Sequence, residues 1–333
     1  MMETIRVALI GAGRIGHEHA RNLASFPSVQ VVVVCDPLIE AAKMVRPLAR
    51  ALEISESPDE AFARSDVDAV VVCTPTDTHA DMIERAAKSK KAVFCEKPVA
   101  LELERTQKAL EVVHANGVPF QIGFQRRFDA GYAEAKRRIA SGTLGRIDQF
   151  RAVGRDPGPP PKEYLAKSGG IFIDQAIHEF DLARFLVGEV TEVYSWGAAR
   201  FSEDAATLGD ADTATTLLRF KNGAIGVIEN SRRAVYGYDI VTEIFGSNGK
   251  IIVQAEPKTP IRHYSESGYQ MDHYHFFMDR FGPAFRAELE SFFRCVTDGV
   301  TPSPDAFDAL ESLRIAVAAT KSWKTGQPVK IGR

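Results

Sequence analysis

Apolar positions in the first third of the chain fall in short unbroken runs: IRVALIG (5–11), VQVVVVC (29–35), VDAVVVC (67–73), KAVFCE (91–96) and PFQIGF (119–124). Stretches with helical spacing separate them, among them THADMIERAAKS and LERTQKALEVVHANG, the latter closed by an Asn-Gly pair suited to a helix C-cap. Continuous Val/Ile-rich strands alternating with helices predict a parallel sheet covered on both faces, a doubly wound α/β domain over residues 1–124. After Phe124 the pattern changes. Longer strand candidates appear at RIDQFRAVG, TEVYSWGAARF, TATTLLRF, GAIGVIENS and DIVTEIFG. Asn222-Gly223 and Asn248-Gly249 sit between such runs, a strong hairpin signal. Helical spacing covers 131–141, 172–187, 284–298 and 306–325, so residues 125–333 read as an α+β domain on a large, mostly antiparallel open sheet.

One run does not fit a plain core helix. GGIFIDQAIHEFD (169–181) carries Asp174, His178 and Asp181 at spacings of four and three, which in a continuous helix share one face. Polar groups on an otherwise apolar face need a reason. GRDPGPPPKEY (154–164), just before it, is a stiff Pro-rich loop that could wall a pocket or simply connect two elements.

Bulk properties remove several function classes. The 333 residues suit two domains on the usual length prior. A net charge of -3 leaves no electrostatic footprint for nucleic acid or an anionic membrane. No apolar run approaches the roughly 18 residues a membrane helix needs. The opening MMETIRVALIG enters a strand with no basic leader, and the four cysteines (Cys35, Cys73, Cys95, Cys295) lack disulfide-framework or metal-ligand spacing, so a cytoplasmic protein is expected. His273 and His275 have no acidic or cysteine partners at helpful spacing, and no metal is assigned.

The chemistry begins at GAGRIG (11–16), a G-x-G-x-x-G directly after a strand and opening a helix. Gly11 allows the tight turn, Gly13 lets backbone approach a pyrophosphate, and Gly16 permits close helix–strand packing. The helix start at Arg14 and Ile15 supplies N–H groups and a positive dipole. Asp36 ends the second strand, where a carboxylate accepts hydrogen bonds from ribose hydroxyls and repels a 2′-phosphate. NAD is therefore favoured, with NADP the alternative because Arg14 is cationic. In CTPTDTH (73–79), Thr74, Pro75, Thr76 and His79 could line the cofactor path, although Thr76 or Asp77 would serve equally as a helix N-cap. Glu96 and Lys97 of CEKP lie at the same sheet edge, and Pro98 biases Lys97 towards extended geometry.

Together these motifs resemble the glucose–fructose oxidoreductase/inositol dehydrogenase/rhizopine-catabolism family of NAD(P)-dependent dehydrogenases. The resemblance spans essentially the whole chain: GAGRIG, CDP, CTPTDTH, EKP, GFQRRFD, the D-x-x-x-H of 174–178 and a closing GQPVKI. RDPGPPP and SRRAVYGYD bring it nearest to the family's inositol-oxidising members. The resemblance implies a Rossmann domain followed by a sheet domain commonly used to form homotetramers, and a catalytic trio matching Lys97, Asp174 and His178.

Oxidation of a secondary alcohol needs a hydride acceptor and a base for the hydroxyl proton. His178 suits the base, Asp174 can hold its tautomer, and Lys97 can favour negative charge on the reacting oxygen. Gly169-Gly170 permits the turn that launches this segment. Alone, an Asp–His pair would more often be a buried staple between two elements. Arg127, Asp156, Asp181, Asn230 and Tyr236 are pocket candidates, chiefly through the resemblance. Asp181 could equally pair with Arg184, Arg127 could belong to a domain-junction ion pair, and alternation does not separate Tyr236 from Tyr238. The expected activity is NAD-dependent oxidation of myo-inositol or a stereoisomer to a 2-keto-inosose. The alternatives are another sugar or scyllo-inositol as substrate, a lyase with Lys97 as Schiff base, and a non-catalytic NAD sensor.

Overall fold

The computed structural model describes residues 4–332. The chain forms two compact units, residues 1–128 with 282–311 and residues 129–281 with 312–333.

In the first unit, β1 (Ile5–Ile10), α1 (Arg14–Ala24), β2 (Val29–Cys35), α2 (Ile39–Ala49), β3 (Glu53–Ser55), α3 (Pro58–Ala63), β4 (Ala69–Val72), α4 (Thr76–Lys88), β5 (Ala92–Glu96), α5 (Leu103–Asn116) and β6 (Phe120–Gly123) alternate along the chain. The sheet order is β3-β2-β1-β4-β5-β6 with every pair parallel. This is the Rossmann order, whose direction reverses between β1 and β4 and opens a crevice at the carboxyl edge. All of β4 and residues 31–35 of β2 are buried, as a sheet covered on both faces requires. Gly117 caps α5 in the left-handed region, at φ 64°.

In the second unit the elements are α6 (Ala130–Ala140), β7 (Ile147–Arg155), α7 (Lys162–Leu165), α8 (Ile171–Asp174), α9 (Ile177–Leu186), β8 (Val190–Ala198), α10 (Glu203–Thr207), β9 (Thr213–Phe220), β10 (Ile225–Ser231), β11 (Asp239–Gly246), β12 (Gly249–Val253), β13 (Pro257–Ser265) and β14 (Gly268–His273). The helices α11 (Phe277–Asp298) and α12 (Ala306–Thr325) and the short β15 (Val329–Lys330) follow. Seven strands form one sheet in the order β12-β11-β7-β10-β9-β8-β15, with only β7 and β10 parallel. Both Asn-Gly pairs lie at tight antiparallel connections, β9 to β10 and β11 to β12. The ribbon β13–β14 was not legible in the sequence, because β13 is almost wholly exposed and has no apolar face to betray its period.

Two expectations need correction. The single helix expected over 172–187 is two, α8 and α9. Ala176 N–H reaches back five residues to Ile171 O (2.9 Å) and His178 N–H only three to Gln175 O (3.4 Å), so the ladder widens and then tightens at the junction. Gln175 anchors this break by donating to Ser231 O (3.0 Å). Asp174 therefore closes one helix while His178 opens the next, and the shared-face argument does not apply. Secondly, residues 282–311 pack with the first unit, although the change of pattern at Phe124 assigned them to the second domain. Phe285, Leu289 and Phe292 form a fully buried stripe on α11, and Leu289 and Phe292 join the core of β1, β2, β4 and β5. A helix pattern shows which face is apolar, not which sheet it covers.

All four cysteines are buried free thiols. Burial pushes Cys35 up to about 12 and raises Cys73, Cys95 and Cys295, since it disfavours the charged thiolate. The native protein should show almost no thiol labelling near neutral pH and four equivalents after unfolding, counted by mass spectrometry.

Candidate active site

The first unit carries the cofactor half. Gly11 has φ 101°, and a Cβ there would sit 2.6 Å from the Cys73 carbonyl carbon; a Cβ on Gly16 would sit 2.2 Å from Gly11 O. Both positions admit only glycine. A Cβ on Gly13, by contrast, would meet nothing within 4 Å. Gly13 is the N-cap of α1 and makes no side-chain cap to the first turn of the helix. A glycine turn that opens a helix in this way suits a pyrophosphate. Asp36 accepts from Ala12 N–H and Leu38 N–H, each at 2.8 Å, one on each carboxylate oxygen. The acid is thereby fixed beside the glycine turn with its remaining lone pairs directed outward from those two bonds.

Thr74 leads into α4, whose N-cap is Pro75; Thr76 and Asp77 occupy the first helical positions and neither caps. Thr78 Oγ1 lies 2.8 Å from Pro75 O, to which it donates, and 2.7 Å from Thr74 Oγ1, which orders the loop. His79 is a staple. It is buried, with Nδ1 2.8 Å from Pro98 O and Nε2 2.7 Å from Thr74 O. Burial lowers its pKa, so the neutral ring donates to one carbonyl at a time. Its reach is to the EKP segment, not outward. Glu96 likewise turns inward, its Oε1 2.7 Å from His19 Nε2. Lys97, half-buried and followed by a cis Lys97–Pro98 bond, thus stands between two residues that buried histidines hold. Arg127 is buried in the same unit and pairs with Asp308 at 2.9 Å.

The second unit carries the D-x-x-x-H residues. Gly169 and Gly170 have φ of 81° and 86°, and a Cβ on Gly170 would also meet Asp210 Oδ1 at 2.8 Å. The turn into α8 therefore needs its glycines, as expected. Tyr164 OH donates to Asp174 Oδ1 at 2.7 Å, and Arg232 Nη1 donates to Asp174 Oδ2 at 3.0 Å. Arg232 is fully buried and also lies 3.8 Å from Asp210 Oδ2. The Pro-rich loop thus delivers Tyr164 to the acid that the sequence singled out. Tyr164, Asp210 and Arg232 escaped the sequence reading because their only signal is three-dimensional. His178, half-buried, is the second residue of α9.

The remaining candidates separate clearly. Asp181 is 1% exposed and accepts from Ser312 Oγ at 3.3 Å, and Arg184 pairs with Glu189 at 3.0 Å. Asn230 is buried and donates to Glu179. Tyr238 is 6% exposed and packs edge-on to Phe281; Tyr236 is 51% exposed and donates to Asp239 Oδ2 at 2.6 Å. Asp156 is half-buried, and its main chain bonds Ser231 O and Ala234 N–H.

Residues 5–124 match the family model described as oxidoreductase family, NAD-binding Rossmann fold, and residues 132–252 match the GFO/IDH/MocA C-terminal domain. The chain belongs to the GFO/IDH/MocA family. Among its relatives, a protein of Bacillus subtilis named scyllo-inositol 2-dehydrogenase (NAD(+)) is 41% identical, over 99% of this chain and 97% of that protein. A myo-inositol 2-dehydrogenase of Thermotoga maritima is 38% identical over 98% of each. The crystal structure of scyllo-inositol dehydrogenase from Lactobacillus casei, with bound NAD(H) and scyllo-inositol, superposes with a TM-score of 0.93 at 27% identity, covering 99% of both chains. The matched N-terminal domain is NAD-binding in this family.

Asp36 gives a direct test of cofactor choice. Asp36→Asn keeps the acceptor for Ala12 N–H but removes the charge that would repel a 2′-phosphate. The NADP-to-NAD ratio of kcat/KM should rise about tenfold, equivalent to ~1.4 kcal/mol, in steady-state assays with both cofactors.

Proposed function

We propose that this chain oxidises myo-inositol or a stereoisomer at one ring hydroxyl to a 2-keto-inosose, with NAD as hydride acceptor. The observation that carries the reading is Lys97. It follows β5 at the carboxyl edge of the Rossmann sheet, one strand from the β1/β4 switch point where the glycine turn lies. A lysine held there has one obvious use, contact with the atom that reacts beside the cofactor.

Bound NAD supplies the electrophilic ring carbon that receives the hydride. The chain's own residues handle the proton and the charge. Lys97 donates to the reacting hydroxyl oxygen and stabilises negative charge as it grows there. His178 takes the hydroxyl proton, a contribution typically worth about 10²–10⁴-fold. Asp174, its position set by Tyr164 and Arg232, stabilises the imidazolium that results. Arg127, Asp156, Asp181 and Tyr236 remain the proposed polyol contacts. Of these, Asp156 and Tyr236 keep exposed surface within their own unit, while Arg127 and Asp181 are buried and bonded to Asp308 and Ser312.

The relative named for scyllo-inositol and the one named for myo-inositol are nearly equidistant from this chain, so both stereoisomers belong in the test. Purified protein given NAD should form NADH, followed by absorbance, with myo-inositol, scyllo-inositol or D-chiro-inositol in preference to glucose. NAD binding with no turnover of any polyol would refute the assignment and leave the sensor reading.

We further infer a homotetramer working in the cytoplasm, where four unpaired thiols are at home. No helix among the described residues is long and apolar enough to cross a membrane. One sheet face of the second unit leaves Trp196, Leu217, Ile225 and Phe245 exposed on β8, β9, β10 and β11. In the proposed assembly a second copy covers this sheet face and its four exposed apolar side chains. Light scattering coupled to size exclusion should report four chains, and Trp196→Glu with Leu217→Glu should lower that number.

A further inference from the structure

We propose that His19 and Glu288 are positioning residues: they grip the Glu96 carboxylate from two sides and through it set the main chain that presents Lys97. The proposal deepens the dehydrogenase reading and rests on it for the role of Lys97.

The three side chains converge inside the first unit. One ligand-type atom from each of His19, Glu96 and Glu288 lies within 4.8 Å of the other two. His19 is fully buried, and its ring meets Phe94 and Phe285 edge-on at 5.3 and 5.8 Å, so its orientation is not free. With its proton on Nε2 it donates to Glu96 Oε1 at 2.7 Å. On the other side of Glu96, a Cβ added to Gly123 would lie 3.1 Å from Glu96 Oε2, so the strand passes close and the carboxylate has little room. Glu288, on α11, is fully buried, and neither of its oxygens accepts a hydrogen bond.

Two carboxylates meet here, Glu288 fully buried and Glu96 half-buried, and the His19 imidazole N–H is the donor that reaches Glu96. An ionised, unsolvated carboxylate is very costly to bury. A proton on Glu288 removes the charge and supplies the missing donor, and burial together with Glu96 does raise its pKa well above the usual carboxylate range. Glu96 then lies between two donors, His19 Nε2–H and the Glu288 hydroxyl. The consequence is positional. Glu96 is the last residue of β5 and Lys97 is next in the chain. His19 stands one turn beyond Gly16 on α1, the helix whose N-terminus faces the cofactor cradle. The network therefore ties the helix that receives the pyrophosphate to the segment that presents the lysine.

The test uses paired substitutions in the full chain. Glu288→Gln and His19→Gln keep an N–H donor towards Glu96; Glu288→Leu and His19→Leu remove it at similar volume. The Leu variants should lose roughly 10²-fold in kcat, as a misplacement of about 1 Å can cost, with polyol KM and NAD affinity changed far less. The Gln variants should recover most of that loss. Two readouts do not need turnover. Infrared spectra of the wild type should contain the carbonyl stretch of a buried protonated carboxylic acid, absent in Glu288→Gln. The rate of reductive methylation at Lys97, read by mass spectrometry, should change in the Leu variants and not in the Gln variants.

Folded Leu variants with wild-type kcat and an unchanged Lys97 methylation rate would overturn the proposal. So would the absence of the infrared band, should the Leu variants fail to fold. One divalent metal per purified chain, lost in Glu288→Gln, would overturn it differently, because a cation would then be satisfying the same three groups. If the wild type turns over no polyol, the functional reading fails, while the infrared and methylation results still decide the network.

Discussion

Lys97→Ala should lower kcat by about 10²–10³-fold, the scale of removing one donor from a developing oxyanion. NAD affinity should stay within a few-fold of wild type, since the glycine turn and Asp36 are untouched. Stopped-flow absorbance under saturating NAD and polyol measures the first quantity, and titration of cofactor fluorescence the second. Lys97→Arg is the sharper variant, because it keeps the charge and changes the geometry. A large loss there would show that placement matters more than charge. An unchanged kcat in Lys97→Ala would remove the lysine from the reaction and, with it, the reason for the clamps on either side. The lyase alternative makes a different prediction, a borohydride-trapped adduct on Lys97 with substrate and no NADH.

The second large effect is on stability. Arg232→Met deletes a fully buried guanidinium that donates to Asp174 and lies beside Asp210. Breaking a buried pair by removing one partner typically costs about 3–5 kcal/mol, because the remaining charge is left without compensation. For a unit of this size that is on the order of 10 °C in Tm, read by differential scanning calorimetry. Asp210 also accepts from Ile171 N–H at 3.0 Å and so holds the start of α8. Adding Asp210→Asn to Arg232→Met keeps that acceptor and removes one of the two stranded acids, and should restore part of the loss. If the double variant is no more stable than the single, the arginine acts by packing and not by charge. Activity should fall in Arg232→Met beyond the loss of folded protein, since Asp174 loses the arginine donor that helps place it.

Local chemistry was readable where the chemistry is local. The strand runs, the Gly-x-Gly-x-x-Gly turn and Asp36 all lie in one continuous βαβ segment, and the physical demands there act between near neighbours in sequence. Gly11 needs a positive φ, Gly16 needs the absence of a side chain, and the sheet order that follows places them at the crevice. The Asn-Gly turns and the Gly169-Gly170 launch belong to the same class. The candidacy of Lys97, Asp174 and His178 came from the EKP and D-x-x-x-H motifs together with the family resemblance they carry.

Only the tertiary structure decided what those residues lean on. Asp174 and His178 were placed on one helical face by spacing alone, yet a wide turn at Ala176 and the bond from Gln175 to Ser231 put them on two helices. Tyr164 and Arg232 reach Asp174 from ten and 58 positions away along the chain. His19, Glu96 and Glu288 converge from three elements, one of them on a helix that periodicity alone could not assign to the first unit. His79 and Glu96 read as cofactor contacts because of the edge they occupy, and they turn inward because buried carbonyls and a buried imidazole need partners. A sequence displays the period of an element and the chemistry of a turn. Which buried polar group answers which is set by the docking of faces far apart in the chain, and that is where the support for Lys97 and Asp174 is built.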